Sequence, residues 1–222
     1  DSIFFGAVIS VVGYLIGIFL RKKISVLNPL LVSIIFVIAV IKIFHIDYET
    51  YNSGAKYISY LLTPATVCLA IPLYRQISVL KEHAKEVFIG ILAGVLASMG
   101  SILLMSYFFG LTHEQYVTLL PKSITTAIGM GVSEELGGIQ TITVAVIIIT
   151  GVLGNIIAEA VLKIFRIKEP VAKGLAIGTA SHAIGTTKAL EIGEIEGAMS
   201  SLSVAVAGLM TVISASIFAN MM

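Results

Sequence analysis

The sequence predicts an all-α integral membrane protein with six full transmembrane helices and two interrupted, re-entrant segments forming an inverted repeat. Three observations carry this. The 222 residues are 57% hydrophobic and only 12% charged, whereas soluble domains carry roughly 25% charged residues. The apolar residues come in successive runs long enough to span a bilayer. Two later runs are broken by glycine, hydroxyl groups and charge.

A spanning helix needs about 20 mainly apolar residues. Segments 2–20, 26–44, 56–74, 86–109, 139–162 and 198–220 meet that standard, and 115–137 and 170–195 are the interrupted ones. No linker or soluble domain separates them, so residues 1–222 read as one membrane domain. Within it, 1–110 forms an N-terminal four-helix part and 115–220 holds two copies of an interrupted segment followed by a helix. No A-x-A-like site follows the first span, so no removable signal is expected.

Orientation follows from the basic loops, which favour the cytoplasm. Arg21–Lys23 and Arg75–Lys85 are basic, while 45–55 carries Asp47 and Glu49 among several tyrosines. The first four spans therefore run from an outside N-terminus. The next basic loop, Lys163 to Lys173, falls inside only if 115–137 dips in from outside and returns. Segment 170–195 then dips in from the cytoplasm. The alternative is eight transmembrane segments with a basic outer loop. A shift of 59 residues lays Lys122–Thr126 on Ser181–Gly185, Glu135 on Glu194 and Gly138 on Gly197. Copies facing opposite ways are the plan of many secondary transporters.

Polar groups at membrane depth cost several kcal/mol unless protein or a watery cavity surrounds them. The runs Pro121–Thr126 and Gly178–Lys188 are therefore the candidate solute site. Lys122 and Lys188 supply positive charge; Ser123, Thr125, Thr126, Ser181, Thr186 and Thr187 supply hydroxyls. Gly185, with Gly129, Gly131 and Gly178, lets backbone approach a ligand. His182 could bind a carboxylate or take up a proton that travels with it. Asn155 and Glu159, four apart on one helix face, are further proton or cation candidates. Together these describe a pocket for a small carboxylate. Each residue also has a plainer role: hydroxyls and glycines pack membrane helices, Lys188 can pair with Glu191, and Glu159 can pair with Lys163.

Other chemistry is not indicated. A single cysteine, Cys68, excludes an intrachain disulfide and a cysteine metal cluster. The net charge of +1 gives no case for nucleic acid. No phosphate-binding loop, metal-protease or nucleophile-elbow motif occurs. Neither an enzyme nor a cofactor or metal is expected.

The motifs Leu120-Pro-Lys-Ser-Ile-Thr-Thr126, Gly137-Gly-Ile139, Ile149-Thr-Gly-Val-Leu-Gly154, the run from Arg166 to Thr186, and Glu196-Gly-Ala-Met-Ser-Ser201 stand out together. In these the chain resembles the LrgB/CidB family. The resemblance is specific over 116–210, and the first hundred residues agree mainly in hydropathy. Asn155-Ile-Ile-Ala-Glu159 departs from the family pattern, so Glu159 has no family support as a shared site. The resemblance implies two functions. Bacterial members are described as antiholin-like modulators of murein hydrolase activity and lysis, acting with a small LrgA/CidA-type membrane protein. Plant relatives resemble half of a plastid glycolate/glycerate carrier, and some bacterial pairs look like pyruvate carriers. A carrier of small monocarboxylates (pyruvate, glycolate, glycerate or lactate) working by alternating access agrees with the polar runs, and a lysis regulator is the alternative. The expected setting is the bacterial cytoplasmic membrane, in a homo-oligomer.

Overall fold

The computed structural model describes residues 4–24, 27, 29–61, 64, 68 and 70–222. Every regular element among them is a helix. Chain contacts group the residues into two compact units, Asp1–Cys68 and Leu69–Met222.

The first unit contains α1 (Phe5–Lys23), α2 (Pro29–Ile43) and α3 (Tyr48–Ser59). Small residues on α1 let its neighbours close in. Gly6 lies against the backbone of Tyr51 and Ala55, Gly13 against Ser33 and Phe36, and Gly17 against Pro29. Ser10 donates to the Gly6 carbonyl at 2.7 Å, and its hydroxyl shares a hydrogen bond with the Tyr51 hydroxyl at 2.9 Å. Close backbone approach through small residues is how membrane helices pack without a hydrophobic drive between them. α2 has 15 residues; the span expected at 26–44 includes residues 26 and 28, which lie outside the described residues. One departure from the sequence reading appears here. α3 occupies most of what reads as an acidic loop, because Asp47 caps it by accepting from the Glu49 amide at 3.2 Å. The span expected at 56–74 includes residues 62, 63, 65–67 and 69, which lie outside the described residues.

The second unit contains α4 (Ala70–Arg75), α5 (Ile77–Glu82), α6 (Ala84–Phe109), α7 (His113–Leu119), α8 (Thr126–Glu135), α9 (Gln140–Ile164), α10 (Pro170–Ile192) and α11 (Glu194–Ala219). Four described helices, α1, α6, α9 and α11, are long and apolar enough to cross a membrane. Their outer faces present large apolar side chains, among them Leu104, Phe108, Ile149, Leu153, Leu209 and Ile213. A soluble protein would bury such surfaces; lipid accepts them. The core of the second unit joins Ile91, Val95 and Met99 of α6 to Tyr116, Leu120, Ile124 and Met199.

α7 and α8 form a hairpin. With 7 and 10 residues, they are about 10 and 15 Å long, and neither spans a bilayer. The exit of α8 comes back to α7: the Ile139 amide donates to the Thr118 hydroxyl at 2.8 Å, and Gly138 sits against Thr118. α9 then runs antiparallel to α8. The Thr143 hydroxyl contacts the Ser133 hydroxyl at 2.7 Å and the Thr118 carbonyl at 2.9 Å, and Ile147 packs on Gly129. Lys122 and Ser123 therefore stand at the hairpin tip.

α10 is a second hairpin, broken at His182, whose φ of 42° and ψ of −144° are not helical. Gly185 closes the bend against Ser181 and Ile177. Both arms end at the start of α11. Gly174 of the first arm lies on Glu196 and Met199, and Leu190 of the second lies on Gly197. The far end of α11 meets the first hairpin, since the Tyr116 hydroxyl donates to the Phe218 carbonyl at 2.8 Å. The two hairpins thus enter the second unit from opposite ends, and α6 and α11 run between those ends.

Candidate functional site

The first hairpin tip sits beside the middle of α6. The Lys122 ammonium donates to the Ser123 hydroxyl at 2.9 Å and to the Ser98 hydroxyl at 3.3 Å, and Ser98 in turn donates to Ser123 at 3.0 Å. An ammonium has three hydrogens, so one remains. Among the described residues no carboxylate lies within ion-pair distance of Lys122. Together with Ser123 it lines a cavity of about 720 Å³, within the range of small-molecule sites. Leu175 and Thr179, from the first arm of α10, also line it, packed against Gly90 and Gly94 of α6. A side chain at Gly94 would collide with Thr179, so this glycine keeps the helices close. His83, Glu86 and Glu169 line the cavity where α6 and α10 begin.

The remaining residues expected at the site are placed differently. Thr125 and Thr126 are half-buried at the start of α8 and do not line the cavity. Ser181, at the second tip, is packed against Gly154. His182 is buried, and its Nε2 hydrogen-bonds the Ile147 carbonyl at 2.9 Å. A carbonyl can only accept, so Nε2 carries the proton. Gly151 leaves room for the imidazole, which a Cβ there would meet at 2.7 Å. Because Ile147 also packs on Gly129, the second hairpin tip and the base of α8 meet on the same stretch of α9.

Past the bend, the polar groups pair with protein. The Thr186 and Ser200 hydroxyls lie 2.8 Å apart, and Gly185 serves the bend itself. Asn155 donates to the Ile184 carbonyl at 3.0 Å and to the Thr187 hydroxyl at 2.9 Å. Lys188 binds Glu159 at 2.6 Å and Glu191 at 3.2 Å, and Glu159 also reaches Lys163 at 3.8 Å. These bonds tie the returning arm of α10 to α9. They account for Asn155, Glu159, Thr187 and Lys188 without a solute.

Sequence reasoning passed over Ser98, Thr179, Glu86 and Glu169. Ser98 is one of three serines in a long apolar helix, a pattern that ordinary packing also produces. Thr179 lies inside the polar run, and its hydroxyl donates to the Leu175 carbonyl at 2.7 Å. Among the described residues no group of His, Cys, Asp and Glu could hold a metal ion.

Fold and site together define a multi-pass cell-membrane protein whose cavity, lined by α6, Lys122, Ser123 and the first arm of α10, holds a lysine without a carboxylate partner among the described residues. The LrgB-like family model matches residues 10–221. The chain is 38% identical over 213 residues, covering 95% of it and 93% of the relative, to the antiholin-like protein LrgB of Bacillus mycoides (strain KBAB4). The same figures hold for the antiholin-like proteins LrgB of Bacillus cereus (strain B4264) and Bacillus anthracis (strain CDC 684 / NRRL 3495). No solved structure matches. The chain belongs to the LrgB-like family.

Proposed function

We propose that this protein carries small monocarboxylates across the membrane by alternating access, with Lys122 as the charge that attracts the anion. The observation that carries the reading is the ammonium of Lys122, held by Ser98 and Ser123 in a cavity of about 720 Å³ with no carboxylate partner among the described residues. An ammonium at membrane depth is expensive and is retained where a counter-ion or substrate needs it. One cation and a few hydroxyls beside apolar walls suit one carboxylate on a short carbon chain. His182, Thr186 and their neighbours serve this reading by setting the shape of the second tip. Glu159 and Lys188 fasten its returning arm. The proposed topology has six crossings and two re-entrant hairpins, the first entering from outside and the second from the cytoplasm. A homo-oligomer and a small LrgA/CidA-type membrane partner belong to the same proposal.

The name of the relatives, antiholin-like protein LrgB, favours the second reading, a regulator of murein hydrolase activity and lysis, over the carrier. A regulator acting through assembly has no need of an unpaired cation in a cavity, and this is why the geometry favours carriage. Uptake of labelled pyruvate, glycolate and lactate into proteoliposomes, with and without the small partner, separates the two. Saturable uptake of at least one is expected; its absence in both preparations removes the carrier reading.

Topology has its own check. In a Cys68→Ser background, a cysteine near Tyr51 is expected to react with an impermeant reagent added outside, and one near Lys168 only after permeabilisation. Outside labelling of both would replace the re-entrant arrangement with eight crossings.

A further inference from the structure

The connection between α9 and α10 builds a second cavity, of about 530 Å³, on different residues from the first. Lys163, Arg166, Lys168 and Lys173 line it around the apolar side chains of Leu162 and Ile192. Glu159 and Glu191 also line it, but Lys188 already holds both, at 2.6 and 3.2 Å. Lys163 makes only a long contact with Glu159, at 3.8 Å, and Lys173 leans away to Glu196 at 3.6 Å. Arg166 and Lys168 make no ion pair among the described residues.

Arg166 stands where the chain turns out of α9, with a φ of 55°. The Ile167 amide bonds the Leu162 carbonyl at 2.9 Å across it. That left-handed closing position is one glycine usually fills, because a Cβ is disfavoured there. Positive charge for membrane orientation alone would serve equally well at a neighbouring position without this backbone cost. A guanidinium kept here, at the edge of a cavity with an apolar floor, has the form of a binding group. Its planar fork matches the oxygens of a phosphate. Basic pockets between membrane helices hold acidic headgroups, and the apolar floor accepts the carbon part of such a ligand.

We infer that this recess binds an organic phosphate anion, with Arg166 and Lys168 as the phosphate-contacting groups and Leu162 and Ile192 beneath its carbon portion. The shared chemistry is a phosphate ester with a carbon portion, supplied either by an acidic phospholipid headgroup or by a soluble ester. The inference is independent of what the first cavity carries.

The test uses the full chain purified in detergent and measures retention of fluorescent phosphatidylglycerol against phosphatidylcholine. Arg166→Gly is the decisive variant: it removes the guanidinium while suiting the backbone, so the lipid-free protein is expected to melt no lower than wild type. Wild type is expected to prefer phosphatidylglycerol, and Arg166→Gly combined with Lys168→Gln to lose that preference by about a hundredfold, roughly tenfold for each of the two charge-assisted bonds removed. Glycerol phosphate is then added as competitor. Displacement of the lipid from wild type assigns the site to a soluble ester, and failure to displace it assigns the site to the lipid. Equal retention of the two lipids by wild type, with no binding of glycerol phosphate, overturns the inference. So does a preference that survives both substitutions.

Discussion

Lys122→Ala is expected to abolish carboxylate uptake while leaving the protein folded and inserted. Hydrogen bonds to a charged group are worth about 1.5–3 kcal/mol, so the loss weakens substrate binding by roughly ten- to more than a hundredfold. Lys122→Gln is expected to be nearly as damaging, since it retains polarity without the attracting charge. The stability effect should run the other way. The ammonium is half-buried and, among the described residues, held by Ser98 and Ser123 without a carboxylate, and a buried cation without a counter-ion costs folding free energy. Lys122→Ala is therefore expected to melt at or above the wild-type temperature. Loss of uptake with unchanged or raised thermal stability would place Lys122 in the solute's path. Normal uptake by the alanine variant would remove it from the site. Under the lysis-regulator reading, wild type shows no saturable uptake and the variant keeps its effect on autolysis.

The second large effect is expected at His182, and the choice of substitution decides its meaning. The residue holds a backbone conformation suited to glycine, with φ 42° and ψ −144°, which costs on the order of 1–3 kcal/mol in other residues. Its imidazole offsets that by bonding the Ile147 carbonyl at 2.9 Å and filling the space beside Gly151. His182→Ala loses the bond and the packing but keeps the backbone cost, a destabilisation of about 2–4 kcal/mol. His182→Gly loses the same contacts but relieves the backbone, and is expected to recover about 1 kcal/mol. Thermal unfolding in detergent should rank wild type above Gly and Gly above Ala. Uptake follows the same ranking if His182 acts by positioning the hairpin tip. Equal loss of uptake in both variants, with stability ranked as stated, would instead assign His182 a direct contact with the solute.

Much of the fold is legible in the sequence because the bilayer simplifies the problem. A run of about 20 apolar residues has few alternatives to a spanning helix, and α6, α9 and α11 fall on three of the expected spans. The breaks in the two polar runs are also local properties. Pro121 interrupts α7 before Lys122, and the glycine- and hydroxyl-rich stretch around His182 is where α10 bends. The α3 helix was less visible. Its polar tyrosine-rich residues have the composition of a loop, and only the Asp47 cap marks its start.

The site divides along the same line. Composition and local pattern determine that this is a membrane protein, where its helices break, which residues at the breaks are polar, and to which family it belongs. They do not determine which of those polar groups remain free. Lys122 and Lys188 look equivalent as lysines in interrupted segments, yet Lys188 meets Glu159 of the neighbouring α9 and, among the described residues, Lys122 meets Ser98 and Ser123 but no carboxylate. A hydrogen bond or ion pair belongs to two segments at once, and its partner is chosen by how the hairpins dock on α6, α9 and α11. Tertiary packing satisfied one lysine and left the other facing a cavity.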